Sequence, residues 1–292
     1  MVQEAEKSDA VTFFGFNRPR MSRLDMERIT RLVYANTGIA LRPELKEAMV
    51  VARLQRRLRE GGFSTFTDYL RAVESDRSGK EMRSLLEALT TNHTGFFREP
   101  QHFDILSKTV VPPLVVAGPS KPIRAWSAAC ATGEEAYSIA ITLLERVPAV
   151  QHDRIRLMAS DLCTEALETA RAGVYPVARV APVEPGLLRA YFERGIGHEA
   201  GLARVKRSVR DLIDFRRVNL MQLDRMTEAF DFIFCRNVMM YFDIPARQRV
   251  VTVLERLIAP NGYLFVSHSE SLSGLKHGFQ WCFGGVYQRG LA

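Results

Sequence analysis

The sequence predicts a small all-α N-terminal domain followed by an α/β domain built on a doubly wound parallel sheet. Its 292 residues, 47% of them hydrophobic and 25% charged, are enough for about two globular domains. Residues 24–89 show helical periodicity, whereas the chain after Lys121 alternates short apolar runs with helical stretches, which is the pattern of βαβ units. We therefore divide the chain into an all-α domain at 1–90 and an α/β domain at 91–292.

Each predicted element rests on a local pattern. The all-α domain has breaks at residues 36–38, 61–62 and 75–79, where Asn, Gly and Ser favour turns between short helices. Residues 191–217, with a glycine pair and alternating apolar and basic residues, predict an antiparallel hairpin inserted into the sheet domain, and residues 279–289 predict a closing hairpin. The other strands and helices of the α/β domain are predicted at Ile123–Ala128, Glu134–Arg146, Ile155–Ser160, Thr164–Ala172, Phe230–Cys235, Pro245–Ile258 and Tyr263–Ser267.

Composition and local sequence limit the cellular compartment and the kinds of binding partner that we expect for this protein. Residues 1–10 lack a basic segment followed by an apolar run, and the most apolar stretch, Val110–Gly118, contains two prolines and is too short to span a membrane. The four cysteines are far apart, which argues against a disulfide framework. We expect a monomeric, cytoplasmic protein that does not insert into a membrane. Its net charge of +7 permits either nucleic acid or an acidic protein as partner.

The turn after the first predicted strand is the first candidate for ligand binding. Residues 126–135 are Trp-Ser-Ala-Ala-Cys-Ala-Thr-Gly-Glu-Glu, and their small side chains allow the backbone to approach a ligand at the start of a helix. Gly133 is the only glycine of this stretch, and Glu134 and Glu135 would repel a pyrophosphate. The acidic side chains favour a ligand with an ammonium or sulfonium group. Alternatively, they only stabilise the first turn of the helix.

Polar residues follow three further predicted strands. Asp161 directly follows the second strand, where a carboxylate can accept both hydroxyls of an adenosine ribose; alternatively, it caps the helix that begins near Thr164. Asn219 and Leu220 follow the third strand, and Cys235–Asn237 follow the fourth. Ligands of doubly wound sheets bind at the carboxyl ends of the strands. An adenosine-type ligand without phosphates fits this arrangement best, and S-adenosylmethionine is such a ligand.

Five stretches of the sequence carry a resemblance to a known family. They are Thr90–Glu99, Trp126–Ala140, Ala159–Asp161, Phe234–Asp243 and Ser267–Glu270. Together and in this order they resemble the motifs of CheR, the chemotaxis-receptor glutamate methyltransferase family. The resemblance covers nearly the whole chain, from about residue 24 to residue 287.

The resemblance implies a class I, Rossmann-like methyltransferase domain that binds S-adenosylmethionine at the junction with a receptor-facing N-terminal domain. It implies methyl transfer to glutamate side chains on the cytoplasmic helices of chemoreceptors, with S-adenosylhomocysteine as product. By position in the motifs, the implied cofactor contacts are Asn92, Thr94, Arg98, Glu135, Asp161, Asn219, Leu220, Arg236, Asn237 and Tyr241.

The implied reaction requires no general base. A glutamate side chain in water has a pKa of about 4.3, so its carboxylate is ionised near neutral pH and can attack a sulfonium methyl group directly. Opposite charges cancel during transfer, and a dry, tightly positioned site therefore favours the transition state. We predict that Arg98 and Tyr241 are catalytic residues that orient the carboxylate and the methyl group. Alternatively, Arg98 only forms an interdomain ion pair.

A basic helix face is the first candidate for receptor binding. At about 100° per residue, Lys46, Arg53 and Arg57 of the predicted helix 43–60 lie on one stripe with Arg56 beside it. The opposite arc is apolar and contains Leu45, Ala48, Val51, Ala52, Leu54 and Leu58. A positive face would attract an acidic receptor helix, although it could equally be a solvated surface.

The inserted hairpin is the second candidate. It resembles the β-subdomain of the family, which in some members adds a receptor tail peptide as a strand. Gly195 and Gly197 resemble the glycine pair of those peptide-binding members. A structural hairpin without a partner is the alternative.

Other functions are less well supported. The pI of about 9.4 permits a nucleic-acid methyltransferase, but residues 237–240 lack the Pro-Pro-aromatic run of amino-group methylases, and we expect no nucleic acid as partner. A non-catalytic receptor-binding adaptor is disfavoured because Arg98, Asp161 and Tyr241 are present. Residues 267–270 superficially resemble a hydrolase triad, yet neighbours on a strand point to opposite faces. The six histidines and four cysteines show no metal-ligand spacing, so we expect no metal site.

Overall fold

A computed structural model describes residues 20–41, 43–118 and 120–290, with the side chains of residues 43–46 outside the description. It confirms the predicted fold class, a small all-α domain followed by a doubly wound α/β domain. The helices of the N-terminal domain are α1 (Arg23–Thr37), α2 (Pro43–Gly61), α3 (Phe66–Ser75) and α4 (Lys80–Leu89).

The helix α2 packs through a stripe that differs from the predicted arc. Val50, Leu54 and Leu58 are buried, whereas Ala48 and Ala52 are exposed. The buried positions are four residues apart, so they lie on one face that contacts the rest of the helical domain. The predicted arc was therefore wrong at its two alanines, whose small side chains tolerate exposure at little cost.

Among the described helices, none combines the length and the hydropathy needed to cross a lipid bilayer.

The α/β domain begins with a helical segment in three parts, α5 (Pro100–Ile105), a π-helical turn (Leu106–Val110) and α6 (Val111–Val116). Its remaining elements are β1 (Ile123–Ser127), α7 (Glu134–Arg146), β2 (Ile155–Asp161), α8 (Thr164–Ala172), β3 (Val174–Pro176), α9 (Val177–Val180), α10 (Pro185–Tyr191), β4 (Phe192–Arg194), β5 (Leu202–Val205), α11 (Arg207–Arg210), β6 (Ile213–Arg217), β7 (Phe230–Phe234), α12 (Ile244–Leu257), β8 (Ile258–Phe265), β9 (Phe279–Phe283) and β10 (Val286–Arg289).

The main sheet has seven strands in the order β6-β2-β1-β7-β8-β10-β9. The first five are parallel, and β9 and β10 form the antiparallel closing hairpin that the sequence predicted. Side chains of the central strands alternate between two apolar layers. Ala125 and Phe232 face the layer of α5 to α8, whereas Trp126 and Ile233 face the layer of α12. The carboxyl ends of β1, β2, β6 and β7 consequently meet at one edge.

The inserted subdomain is a three-stranded antiparallel sheet in the order β3-β5-β4. The predicted hairpin is present as β4 and β5, but the prediction was wrong at its C-terminal end, because residues 213–217 form β6 and pair in parallel with β2. An edge strand with one exposed face alternates apolar and polar residues in either sheet, so the pattern alone did not distinguish them. Residues 174–176, which form β3, were not predicted because the strand is short and ends in proline.

The N-terminal domain packs onto the carboxyl edge of the main sheet. Ile39 forms an isolated antiparallel bridge with Phe242. Further hydrogen bonds across the junction run from Ala40 N to Tyr241 O (2.8 Å), from Tyr34 Oη to Asp243 (2.8 Å) and from Asn219 Nδ2 to Asn36 O (2.6 Å). These contacts enclose the strand ends at which the sequence predicted a ligand.

Candidate active site

A pocket lies where the carboxyl ends of β1, β2, β6 and β7 meet the N-terminal domain. Its volume, counted together with the open solvent at its mouth, is about 900 Å³, and Thr37 and Ile39 of the N-terminal domain form part of its wall. The structure brings together in this wall all the residues that the resemblance implied as cofactor contacts, namely Asn92, Thr94, Arg98, Glu135, Asp161, Asn219, Leu220, Arg236, Asn237 and Tyr241. Their contacts with a cofactor remain predictions.

A larger and more open groove lies over β1, β2 and β6, on the side of the sheet away from the carboxyl ends of the strands. Its lining includes Arg124, Arg156 and Asp214, and none of the predicted site residues reaches it. Binding sites of doubly wound sheets lie at the carboxyl ends of the strands. We therefore assign the candidate site to the pocket at the domain junction.

The turn between β1 and α7 brings backbone close to the pocket. Ala131 and Gly133 have φ of 47° and 98°, which is the left-handed region. A Cβ atom on Gly133 would lie 2.7 Å from the Cβ of Ala170, so only glycine fits there. Ala131 N donates to Asp161 Oδ2 at 2.9 Å. The tight turn is thereby fixed to the end of the neighbouring strand β2.

The two glutamates that begin α7 have different roles. Glu134 is fully buried, and Arg179 Nη1 donates to its Oε1 at 2.6 Å, so it ties the helix to the inserted subdomain. Glu135 lines the pocket, and Ser127 Oγ donates to its Oε1 at 2.7 Å. Burial raises the pKa of Glu135, although the positive charge of Arg236 opposes this shift. Only Glu135 is therefore placed to interact with a ligand.

The carboxylate of Asp161 is held at the rim of the pocket by backbone donors. Oδ2 accepts from Ala131 N and Oδ1 accepts from Cys163 N, both at 2.9 Å. The residue at the cap position of α8 is Cys163, so the alternative of Asp161 as the helix cap was not borne out. Each carboxylate oxygen has a second lone pair, which leaves acceptor capacity toward the pocket. Burial raises the pKa of Asp161, and the backbone hydrogen bonds oppose the shift.

A buried ion-pair network lies behind the pocket and is centred on Arg236, whose side chain is 1% exposed. Nη1 of Arg236 lies 3.2 Å from Glu135 Oε2, and Nη2 lies 3.2 Å from Glu99 Oε2 and 2.5 Å from Arg98 O. Burial would raise the pKa of Glu99, but a hydrogen bond from Ser267 and the charge of Arg236 lower it. Glu99 had no predicted role, since its partners are distant along the chain.

Arg98 lies in a strained backbone segment at the mouth of the pocket. Its neighbours Phe97 and Glu99 have φ of 50° and 58°. Non-glycine residues in this region cost about 1–3 kcal/mol each and cluster at functional sites. The guanidinium group is exposed and donates to His93 O at 3.2 Å. Arg98 forms no ion pair with any residue that the structure describes, so the alternative of an interdomain ion pair was not borne out.

Glu270 organises the loop that carries Asn237 and Tyr241. Its carboxylate accepts from Asn237 N (2.9 Å), Met240 N (3.1 Å) and Ser267 N (3.0 Å). Asn237 has a φ of 57°, and its Nδ2 donates to Ser267 Oγ at 2.8 Å. Residues 267–270 thus support the pocket and do not form a hydrolase relay. This role of Glu270 was not predicted from the sequence.

Asn219 is a structural brace as well as a pocket residue. Its Nδ2 donates to Asn36 O at 2.6 Å, and its Oδ1 accepts from Met221 N at 3.0 Å. The side-chain amide therefore links the strand end to the N-terminal domain, and Leu220 beside it supplies apolar surface to the pocket.

The predicted receptor-binding arginines of α2 are partly committed to internal contacts. Arg53 Nη1 donates to the carbonyl oxygens of Leu89 and Thr90, both at 2.9 Å. Arg57 lies 3.1 Å from Glu81 Oε2. Arg56 pairs with Glu60 at 2.8 Å, but its side chain is 70% exposed. The side chain of Lys46 lies outside the described residues. Among the described arginines of the predicted stripe, Arg56 is the one most accessible to a partner.

Both glycines of the inserted hairpin have a backbone reason to be glycine. A Cβ atom on Gly195 would lie 2.2 Å from Glu199 O, and Gly197 has a φ of 60°. The turn between β4 and β5 requires them whether or not a peptide binds.

Comparison with known proteins identifies the class of the chain. The family model described as "CheR methyltransferase, SAM binding domain" matches residues 92–287, and the model described as "CheR methyltransferase, all-alpha domain" matches residues 24–90. The protein is thus an S-adenosylmethionine-dependent methyltransferase.

Full-length relatives agree with this class. The chain is 40% identical to chemotaxis protein methyltransferase 2 of Pseudomonas aeruginosa over 265 residues, which cover 90% of this chain and 92% of the relative. It is also 40% identical to the chemotaxis protein methyltransferase of Escherichia coli over 263 residues, which cover 90% of this chain and 89% of the relative. The chain belongs to the CheR methyltransferase family, as its sequence motifs predicted, and a nucleic-acid methyltransferase is not favoured.

Proposed function

We propose that this protein transfers the methyl group of S-adenosylmethionine to glutamate side chains of chemoreceptors. The observation that carries the proposal is the convergence of Asp161, Glu135 and Arg98 on one pocket between the two domains. The names of the relatives, which are chemotaxis methyltransferases, support the receptor as substrate. Chemoreceptors would be recognised through their glutamate-bearing cytoplasmic helices.

The charges of the pocket fit the cofactor. Asp161 can accept the ribose hydroxyls through the lone pairs that its backbone donors leave open. Glu135 can attract the ammonium group of the methionyl portion, and Arg98 can attract its carboxylate. When bound, S-adenosylmethionine supplies an electrophilic sulfonium methyl group. The absence of a pyrophosphate-binding glycine loop is consistent with an adenosyl ligand that has no phosphates.

The residues at the mouth of the pocket can orient an acceptor glutamate. Arg98 is exposed there, and its charge can hold an incoming carboxylate in line with the transferred group. Tyr241 lies on the opposite loop, in the 3₁₀ turn Met239–Tyr241, and contributes to the same wall. The acceptor arrives ionised, so these residues position it and exclude water without moving a proton.

Transfer of labelled methyl groups to purified chemoreceptors tests the function. We expect the label to enter the receptor and to be released by mild base, because a glutamyl methyl ester is base-labile. A base-stable label on the receptor would contradict glutamate as the acceptor. Label in nucleic acid would contradict the receptor as substrate, and binding of S-adenosylhomocysteine without any transfer would favour the adaptor alternative.

Replacement of Arg98 by Ala should lower kcat by about 100-fold, because the acceptor carboxylate loses its orienting charge. Arg98→Lys should recover part of the rate. Steady-state kinetics with a receptor substrate measure kcat of both variants. Calorimetry with S-adenosylhomocysteine measures their affinity for the product and so shows how much of the loss is due to weaker cofactor binding.

Arg83→Ala is the matched control for Arg98. Arg83 is likewise exposed and donates to a backbone carbonyl, that of Ser78 at 3.3 Å, but it lies on α4 away from the pocket. Unchanged kcat and cofactor affinity in Arg98→Ala would refute the assignment of Arg98.

Charge reversal at Arg56 should raise KM for the receptor several-fold while leaving cofactor affinity unchanged, because the exposed positive charge attracts an acidic helix. The effect should decrease as salt concentration rises. Arg71→Glu is the control, since Arg71 is 71% exposed and pairs with Asp68 on α3 as Arg56 pairs with Glu60 on α2. Equal changes in both variants would indicate a general effect of net charge and would contradict a docking face on α2.

The outer edge of the inserted subdomain is the proposed site for a receptor tail peptide. β4 is an edge strand of the sheet β3-β5-β4, and an edge strand can accept a further strand through its backbone. Calorimetric titration with a peptide of the receptor C-terminus should give a measurable binding heat. No heat at high peptide concentration would leave the hairpin with a structural role only.

A further inference from the structure

Three side chains with metal-ligating atoms converge behind the cofactor pocket. Glu99 and His102 lie at the start of α5, and His268 follows β8. Their ligand atoms all lie within 4.8 Å of one another. They do not belong to the lining of the cofactor pocket. Spacing along the chain gave no hint of this group, because His268 is distant in sequence.

The imidazole of His102 is arranged as a metal ligand. Its Nε2 lies 2.7 Å from Gly284 O, and since a carbonyl can only accept, Nε2 carries the proton. The ring is fully buried, and a neutral imidazole that carries its proton on Nε2 has a free lone pair on Nδ1. Metal-bound histidines typically donate their other ring N–H to a backbone carbonyl or carboxylate in this way.

The lone pair of His102 Nδ1 faces an anionic oxygen. Nδ1 has no hydrogen-bond partner among the described residues, and it lies 3.4 Å from Glu99 Oε2. Two electron-pair donors therefore face each other inside the protein. Arg236 Nη2 lies 3.2 Å from this oxygen and His268 N donates to it at 3.3 Å, so a cation here would supply His102 Nδ1 with the partner that it lacks.

The distances suit a tetrahedral ion. Bonds of about 2.0–2.1 Å at the tetrahedral angle separate two ligand atoms by about 3.4 Å. That is the separation of His102 Nδ1 and Glu99 Oε2. Nε2 of His268 lies 3.9 Å from the same oxygen, and its ring is stacked on that of His102. The His268 side chain is 40% exposed, so it has room to turn toward the ion.

We propose that Glu99, His102 and His268 form a binding site for one divalent transition-metal ion, with the fourth position open to solvent. Two imidazoles and one carboxylate favour Zn²⁺, Co²⁺ or Ni²⁺ over Mg²⁺ and Ca²⁺. The guanidinium of Arg236, 3.2 Å from Glu99 Oε2, opposes a second positive charge. We therefore expect affinity for Zn²⁺ on the order of micromolar, below that of structural zinc sites.

Competition with a chromophoric zinc chelator tests the site on the full chain without a histidine tag. The wild-type protein should bind one equivalent of Zn²⁺, and Co²⁺ should give the visible absorption of a four-coordinate site with nitrogen ligands. His268→Ala and His268→Gln should weaken Zn²⁺ binding at least tenfold without changing the melting temperature of the metal-free protein, because the side chain is partly exposed.

His198→Ala is the control, since His198 is exposed in the inserted subdomain, and it should retain wild-type affinity. Failure of the wild-type protein to compete for Zn²⁺ at micromolar concentration would overturn the proposal. So would equal affinities of the wild type and both His268 variants, or an equal loss in His198→Ala, which would indicate adventitious surface binding. None of these readouts depends on methyl transfer.

Discussion

Substitution of Asp161 by Asn should weaken binding of S-adenosylhomocysteine by about 100-fold or more, because hydrogen bonds to a charged group contribute roughly 1.5–3 kcal/mol each. Both carboxylate oxygens already accept from backbone donors, Ala131 N and Cys163 N, at 2.9 Å. An Asn side chain has one acceptor oxygen, so its NH₂ group must face one of these N–H groups. The turn after β1 and the proposed ribose site would be lost together.

Calorimetry with S-adenosylhomocysteine measures this effect directly. Asp153→Asn is the matched control, because Asp153 is exposed and lies just before the amino end of the same strand. We expect wild-type affinity for the control. If Asp161→Asn bound the product as tightly as the wild type does, the ribose assignment would be wrong, and with it the orientation of the cofactor in the pocket.

Substitution of Arg236 by Met should reduce the free energy of unfolding by about 3–5 kcal/mol, since removal of one partner leaves buried charges uncompensated. Arg236 lies 3.2 Å from both Glu99 and Glu135, and its side chain is almost fully buried. Met has a similar length and apolar character, so the loss reports chiefly on charge. Arg156→Met, at an exposed position on β2, is the control and should change stability little.

The pH dependence distinguishes lost charge from lost packing. Burial already raises the pKa of Glu135 in the folded state, and Arg236 opposes that shift. Without Arg236 the folded pKa rises further above the unfolded value, and between the two values the native state binds more protons than the unfolded state. Stability of the variant therefore increases as pH falls through this window, and the loss should be smaller near pH 5 than near pH 8.

Denaturant unfolding of the wild type and the variant at the two pH values measures the difference. An equal loss at both would show that packing, rather than uncompensated carboxylates, accounts for the effect. A loss below about 1 kcal/mol would contradict the role assigned to the network, since that is the range of an exposed ion pair.

The sequence predicted the main helices and the core strands because their signals are local. The predicted bounds of α7 and α8 coincide with those observed, and left-handed glycines, Gly133 before α7 and Gly173 after α8, mark one end of each. β8 was predicted to begin at Tyr263 but begins at Ile258. Its first part is bulged against β7, and Asn261 has a φ of 61°, so its residues resemble a turn.

The candidate pocket was predictable in outline, since the carboxyl ends of parallel strands meet at one edge whatever the details of packing. The contacts that support the pocket from behind were not predictable from the sequence. Ser267 Oγ donates to Glu99, 168 positions earlier in the chain, and Arg53 holds the carbonyl oxygens that end α4. Both contacts depend on how distant elements pack. Helical periodicity does not distinguish an arginine that stabilises a linker from one that contacts a partner.

The main-chain pairing of Ile39 and Ala40 with the loop that carries Tyr241 has a kinetic consequence. Both domains contribute to the wall of the pocket, so we expect an adenosyl thioether bound there to be released faster when this main-chain pairing is broken. Opening of such contacts and release of product limit the turnover of many enzymes. A partner that separates Ile39 and Ala40 from this loop would therefore increase the turnover rate without contacting the reacting atoms.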